Sequence, residues 1–202
     1  IKKLYFKTPD SIYISSKSIA LFSASNLIST KVFNLSLNDQ IQKSKINTNI
    51  NSKSFQYILT SVGNINSNIF NKFLNTDKKT MDGETKFKSI ISFDPYTKKT
   101  LLYSTSDLVG ISLVTIKPWS KEKNKKVNFA LNYQLFPKKS YPLKINLDKN
   151  EFEFKLDDND TYIKTKSPAA RGIIKYSFDE NQKKTFSGSF EYIDIKYFSK
   201  DM

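Results

Sequence analysis

A strict two-residue alternation of apolar and polar side chains is the feature that most constrains this sequence. Between residues 127 and 136, the odd-numbered positions are apolar, while the even-numbered positions as far as Gln134 are small or polar. Successive side chains of a β-strand point to opposite faces, whereas a helix would scatter this pattern around its axis. The segment therefore predicts an antiparallel strand with one packed face and one face in water.

The next two alternating segments predict a hairpin. A turn centred on Lys149-Asn150 places apolar residues opposite one another. A slip of one residue would put Asn146 opposite Phe152 and mix the two faces, so the pattern favours a single register. The predicted pairs are Leu147 with Phe152, Ile145 with Phe154, and Leu143 with Leu156.

Similar patterns predict further strands in the second half of the chain. One of them, 108–117, is apolar on both faces and is therefore predicted to be a central strand or a strand covered by a helix. The last one changes its apolar phase after Tyr192, which predicts either a β-bulge or a move from one packing surface to another. The predicted strands are 87–93, 100–104, 108–117, 161–166, 172–178 and 186–197.

The first half has a weaker pattern. Residues 52–74 place apolar side chains at spacings of three and four, which predicts a helix. Short strands are predicted at 5–7, 12–14 and 32–37, a loop or short helix at 38–51, and a polar linker at 76–84.

These elements predict one domain over residues 1–202, with a mixed portion at 1–75 and an antiparallel β meander at 84–198. The fold class is mainly β (α+β), with one helix near 52–74. About seven to nine strands are expected. A meander of this length buries its apolar face by forming a curved sheet, barrel, half-barrel or sandwich.

The chain contains no cysteine and no histidine. Mechanisms that use a Ser-His-Asp triad, a Cys-His pair or an imidazole base are therefore excluded within it, as are zinc sites built from these residues. We expect no catalytic residue, no metal and no cofactor, and hence no enzyme. A carboxylate-dependent hydrolase is a lower-ranked alternative. Glu151 and Glu153 share a face and could form a carboxylate pair, but that face is predicted to be exposed to water.

A net charge of +14, from 33 basic and 19 acidic residues, predicts attraction to polyanions. Arg171 is the single arginine, which disfavours nucleic acid as a partner because arginine dominates contacts to bases and phosphates. A lysine-rich connection predicted to project from one end of the sheet is the candidate site for an anion or partner; a purely solubilising role is the alternative. Its residues are Lys117, Lys121, Lys123, Lys125 and Lys126.

The predicted apolar interior of the meander is either a filled core or the wall of a ligand cavity. Its candidate residues are Phe129, Leu131, Tyr133, Phe152, Phe154 and Phe190.

We therefore expect a non-enzymatic, extracytoplasmic binding protein of a bacterial cell envelope or surface. Its partner would be a host or envelope macromolecule, such as a sulfated glycan or an anionic lipid, held by the lysine-rich loops. The alternative is a carrier or assembly factor that holds a lipid or another apolar ligand inside the curved sheet.

The same expectation covers attachment and location. No apolar run reaches the roughly 20 residues of a membrane helix, which leaves peripheral or lipid-anchored association open. Ile1 in place of an initiator Met fits a processed form, including a lipoprotein. The expected location is the cell surface, outer envelope or periplasm.

Overall fold

The computed structural model describes residues 4–7, 13–25, 27–51, 54–69, 81–114, 120–136, 139–140, 143–156, 160–178 and 184–197. Its seventeen described strands form one antiparallel sheet that is not closed into a barrel. A 3-10 helix follows the last strand at Ile195–Tyr197. The strands are β1 (Leu4–Lys7), β2 (Tyr13–Ser16), β3 (Leu21–Ala24), β4 (Leu27–Thr30), β5 (Phe33–Leu37), β6 (Gln40–Asn51), β7 (Ser54–Asn66), β8 (Met81–Asp94), β9 (Lys99–Ser106), β10 (Ile111–Leu113), β11 (Phe129–Phe136), β12 (Lys139–Ser140), β13 (Leu143–Leu147), β14 (Asn150–Leu156), β15 (Asp160–Lys166), β16 (Ala170–Phe178) and β17 (Lys184–Ile193).

The strands follow one another as a meander, because most pair with their neighbours in sequence. Strands β5 to β9 pair in order, β9 pairs with β11, and β13 to β17 pair in order after β11. In three places two short strands share one long partner: β4 and β5 on β6, β9 and β10 on β8, and β12 and β13 on β11. The mainly β, antiparallel prediction is confirmed, the predicted number of strands is too low, and the barrel alternative is wrong.

On β6 and β8, the two faces of the sheet differ in burial. On β6, Gln42 and Ser44 are buried, while the alternating Lys43 and Lys45 are exposed. Strand β8 continues the pattern, with Phe87 buried. We call the more buried side the inner face and the lysine-rich side the outer face.

The predicted helix at 52–74 is wrong, because residues 54–66 form strand β7. Among the described residues of that range, only 67–69 are helical. Strand β7 lies between β6 and β8, and it carries apolar residues on both faces, such as Leu59 inside and Ile58 outside. Apolar residues on both faces of a strand also produce spacings of three and four, which is why the pattern resembled a helix. The predicted loop or helix at 38–51 is likewise replaced by β6.

The predicted register of the β13–β14 hairpin is wrong by two residues. The structure pairs Leu147 with Asn150, so the turn consists of Asp148 and Lys149 alone. Asp148 adopts a φ of 50°, a left-handed conformation that suits a two-residue hairpin turn. The shift of two preserves the faces: the observed apolar pairs are Ile145 with Phe152 and Leu143 with Phe154.

Local irregularities of the backbone determine the outcome of two further strand predictions. Within the described residues of the predicted central strand at 108–117, only 111–113 form a strand, β10, because Leu108 and Gly110 adopt positive φ angles ahead of it. The bulge predicted near Tyr192 is confirmed: Gly172 pairs with Phe190 but Arg171 pairs with Tyr192, so Glu191 is the extra residue.

Candidate functional site: the inner face and the lysine segment

The inner face of the second half of the sheet carries an extended apolar surface. Leu131 lies opposite Ile145, and Ile145 lies opposite Phe152 on the next strand. Phe154 continues the surface to Ile163, which lies opposite Ile174. The half-buried apolar residues of this surface are Leu102, Phe129, Leu131, Tyr133, Leu143, Ile145, Leu147, Phe152, Phe154, Ile163 and Ile174.

The structure brings together on this face all six residues that the sequence assigned to the apolar interior. Phe129, Leu131 and Tyr133 share one face of β11, and Phe152 and Phe154 share the same face on β14. These five side chains are half-buried. The sixth, Phe190, is exposed. Its ring lies against Gly172 and Gly188, where a larger side chain would collide with it.

A buried hydroxyl group interrupts this apolar surface. Thr165 lies between Phe152 and Gly172 in the pairing across the sheet and is only 2% exposed. Among the described residues, its Oγ1 atom has no hydrogen-bond partner. An unpaired buried hydroxyl costs free energy, so this group lowers the stability of the fold.

A row of four serines crosses the inner face of the first half. Ser44, Ser61, Ser89 and Ser104 lie directly opposite one another on β6, β7, β8 and β9. The hydroxyl oxygens of Ser44 and Ser61 lie 2.9 Å apart, and those of Ser89 and Ser104 lie 2.7 Å apart. The sequence analysis missed this row, although each serine occupies the inner phase of its strand. The paired hydroxyls leave this part of the face less apolar than the second half.

The described part of the lysine-rich segment, residues 120–126, is held against the sheet by backbone hydrogen bonds. Lys121 and Leu113 exchange backbone hydrogen bonds of 2.9 Å, and the amide of Gly110 donates to the carbonyl of Lys123 at 2.8 Å. The described part of the segment, residues 120–126, therefore runs beside β10. Lys117 lies outside the described residues.

Lys121 is buried, with 5% of its surface exposed. Its Nζ atom donates to the carbonyls of Ile111 at 2.6 Å, Glu122 at 2.9 Å and Lys123 at 3.4 Å. Burial lowers the pKa of the Lys121 ammonium group; Asp107 opposes this shift and Lys125 adds to it. The hypothesis that Lys121 binds an external anion is therefore corrected: its ammonium group faces main-chain carbonyls.

The remaining described lysines of the segment are exposed. Lys123 lies 4.0 Å from a carboxylate oxygen of Asp82, an exposed pair that contributes little to stability. Lys125 and Lys126 are exposed beside it. These three ammonium groups are available to an anionic partner.

The two glutamates considered for hydrolysis lie on the outer face beside lysines. Glu151 is 3.7 Å from Lys166, and Glu153 is 3.5 Å from Lys144. Each glutamate is therefore paired with a lysine of a neighbouring strand on the outer face. Within the described ranges, no three carboxylates gather in a way that could hold a metal ion.

The part of the chain that the structure describes contains no helix long and apolar enough to cross a membrane. No protein-family model, curated protein or solved structure matches this chain.

Proposed function

We propose that this protein is a non-enzymatic binding protein that holds an apolar ligand, most simply the acyl chain of a lipid, against the inner face of its sheet. The observation that carries the proposal is the run of paired apolar side chains from β9 to β16, which remain half-buried. A filled core would bury such residues almost completely.

The physical gain from covering this surface is substantial. Removing about 400 Å² of apolar surface from water, shared between ligand and protein, contributes about 10 kcal/mol. The ligand's loss of freedom offsets part of this gain. The apolar character of this surface agrees with the usual lining of ligand sites, which is predominantly hydrophobic.

A carrier or assembly role at the bacterial cell envelope, outside the cytoplasm, forms part of this proposal. Lipids are exchanged there, and peripheral or lipid-anchored attachment would keep the protein near its ligand. The absence of cysteine makes the fold independent of the redox state of that compartment.

A second candidate function is the binding of an anionic macromolecule, such as a sulfated glycan, at a cell surface. Its support is the exposure of Lys123, Lys125 and Lys126, together with the lysines of the outer face. This candidate ranks lower, because Lys121 faces inward and the remaining charge is spread over the sheet.

The proposal is tested with a fluorescent fatty acid as a probe of the inner face. Leu131→Gln and Phe152→Gln place polar groups at the centre of the apolar surface, and each is expected to weaken probe binding about tenfold. Ile173→Gln and Tyr103→Gln make similar changes at exposed outer-face positions and are expected to leave binding within twofold of wild type.

Thermal unfolding of every variant separates loss of binding from loss of folding. Native mass spectrometry of the purified protein provides a second readout, since a retained lipid appears as added mass. The proposal fails if the folded wild-type protein binds no probe, or if inner-face and outer-face variants weaken binding equally.

A further inference from the structure

One end of the sheet carries a cluster of exposed and half-buried apolar and aromatic side chains, which we call the aromatic tip. Strand β7 pairs with both β6 and β8, so the end of β6, the start of β7 and the β8–β9 turn meet at the same end. Ile50 is 57% exposed, Phe93 39% and Tyr96 75%. The residues of the tip are Ile50, Phe55, Tyr57, Phe93 and Tyr96.

The aromatic rings of the tip contact one another. The ring of Phe55 lies 5.2 Å from that of Tyr57 and 5.8 Å from that of Tyr96, both in edge-to-face geometry. Such contacts stabilise aromatic pairs and restrict their side chains. The tip therefore presents a preformed apolar surface, which lowers the entropic cost of docking.

The turn that contains Tyr96 is stabilised by hydrogen bonds between its own residues, and it carries positively charged lysines. The Asp94 carboxylate accepts hydrogen bonds from the amides of Tyr96 at 2.9 Å and Thr97 at 3.1 Å. Lys98 and Lys99 follow directly, and Lys98 is exposed. Asp94 supplies the opposing negative charge, but its carboxylate is already engaged by the turn's own amides.

We propose that the aromatic tip docks onto the surface of an anionic lipid bilayer. Tyrosine and phenylalanine place apolar rings at the boundary between acyl chains and headgroups, where a tyrosine hydroxyl stays hydrated. Lysines beside the rings attract anionic headgroups, and the net charge of +14 adds long-range attraction. Because the amides of Tyr96 and Thr97 are already hydrogen-bonded to Asp94, moving them into the membrane interface costs less desolvation free energy.

The tip residues of β6, β7 and β8 share the phase of the inner face, but they lie away from the centre of the proposed acyl-chain site. The tip lies at the strand ends around β7, whereas the centre of the apolar surface is formed by Leu131, Ile145 and Phe152. Membrane docking through the tip therefore does not depend on the proposed function.

The test is co-sedimentation of the full chain with vesicles of phosphatidylcholine containing about one third phosphatidylserine. The double variant Ile50→Ser/Tyr96→Ser is expected to bind these vesicles about tenfold more weakly than wild type. The matched control is Ile41→Ser/Tyr103→Ser, which removes one isoleucine and one tyrosine from exposed outer-face positions. The control is expected to bind within twofold of wild type.

The charge contribution is tested separately. Lys98→Gln/Lys99→Gln is expected to weaken binding more than Lys43→Gln/Lys45→Gln, which removes the same charge from the outer face. Fatty-acid probe binding by the tip variants reports whether the inner face is intact. Membrane docking through the tip is overturned if wild type does not sediment with anionic vesicles, if phosphatidylcholine vesicles bind it equally well, or if the tip and outer-face variants lose equal affinity.

Discussion

Residues of the same type lie in different surroundings in this fold, as the lysines of one segment show. Lys121 has an ammonium group surrounded by three main-chain carbonyls, whereas Lys125 and Lys126 of the same segment are exposed. No local feature of the sequence separates these lysines, because each lies among other lysines and polar residues. The difference arises from the pairing of residue 121 with β10.

Lys121→Met is expected to lower the free energy of unfolding by about 2 kcal/mol. Methionine fills a similar volume but leaves the carbonyls of Ile111 and Glu122 without this donor. Lys125→Met is the matched control and is expected to change stability by less than about 0.5 kcal/mol. Urea denaturation at neutral pH measures both; equal stabilities for the two variants would contradict a structural role for Lys121.

The lowered pKa of Lys121 also predicts how stability depends on pH. Between that lowered pKa and the ordinary value of 10.5, the unfolded chain binds more protons at this group than the folded chain does. The free energy of unfolding therefore rises with pH in this interval. Urea denaturation from pH 7 to pH 10.5 should show the difference between wild type and Lys121→Met widening with pH, and a narrowing difference would reverse the inferred sign.

Thr165→Val is expected to raise the free energy of unfolding by about 1 kcal/mol. Valine has nearly the same shape and removes a buried hydroxyl that has no hydrogen-bond partner. Thr85→Val is the control, because Thr85 is equally buried but its hydroxyl lies 3.3 Å from that of Ser106. Thermal denaturation should show the first variant stabilised and the second destabilised; two destabilised variants would indicate a role for the Thr165 hydroxyl in the fold.

At the scale of elements, the irregular joints between strands determine where each strand ends. Strand β9 ends and β10 begins around Gly110, which adopts a φ of 98° and packs against the backbone of β8 at Glu84. Gly83 makes the reciprocal approach to Gly110 with a φ of 113°. The predicted strand at 108–117 failed at this joint, because hydrophobicity alone does not reveal a positive φ angle.

Gly110→Ala is expected to lower the free energy of unfolding by about 3 kcal/mol. The added methyl group would collide with the backbone of Glu84, and alanine disfavours the required φ angle. Gly188→Ala is the comparison, because its methyl group would meet mainly the movable ring of Phe190 at 3.1 Å. Chemical denaturation of the two variants measures the difference, and a Gly110 variant as stable as the Gly188 variant would contradict the close approach.

At the scale of the whole molecule, the sheet separates two kinds of surface. The inner face of its second half is apolar and half-buried, and the outer face carries lysines along many strands. Strand pairing produces this separation, because antiparallel neighbours in register keep the same phase from β6 to β16. Positive charge is therefore distributed over both the outer face and the lysine segment.

This distribution predicts that polyanion binding is not confined to the lysine segment. Replacing Lys123, Lys125 and Lys126 by glutamine is expected to weaken heparin binding by the same factor, within about twofold, as replacing Lys43, Lys45 and Lys88 on the outer face. Binding to all forms should weaken as salt screens the charges. Heparin affinity chromatography over a salt gradient measures this, and selective loss in the first variant would instead indicate a localised anion site.

The sequence by itself determined the alternation of apolar and polar side chains in the second half. It also indicated the bulge near Tyr192, the shared face of Phe129, Leu131, Tyr133, Phe152 and Phe154, and the exclusion of histidine and cysteine chemistry. These properties depend on residue type and on the two-residue period of a strand, so they are local.

Only the tertiary structure decided which strands share a partner, where residues 54–66 belong and which of the described lysines of the lysine segment is buried. Strand β7 became a strand because β6 and β8 satisfy its backbone hydrogen bonds on both sides. The hairpin register followed the two-residue turn at Asp148 and Lys149. Lys121 turned inward because β10 supplies a carbonyl acceptor. Each outcome depends on partners distant in sequence or on turn geometry, which the apolar pattern of a segment does not contain.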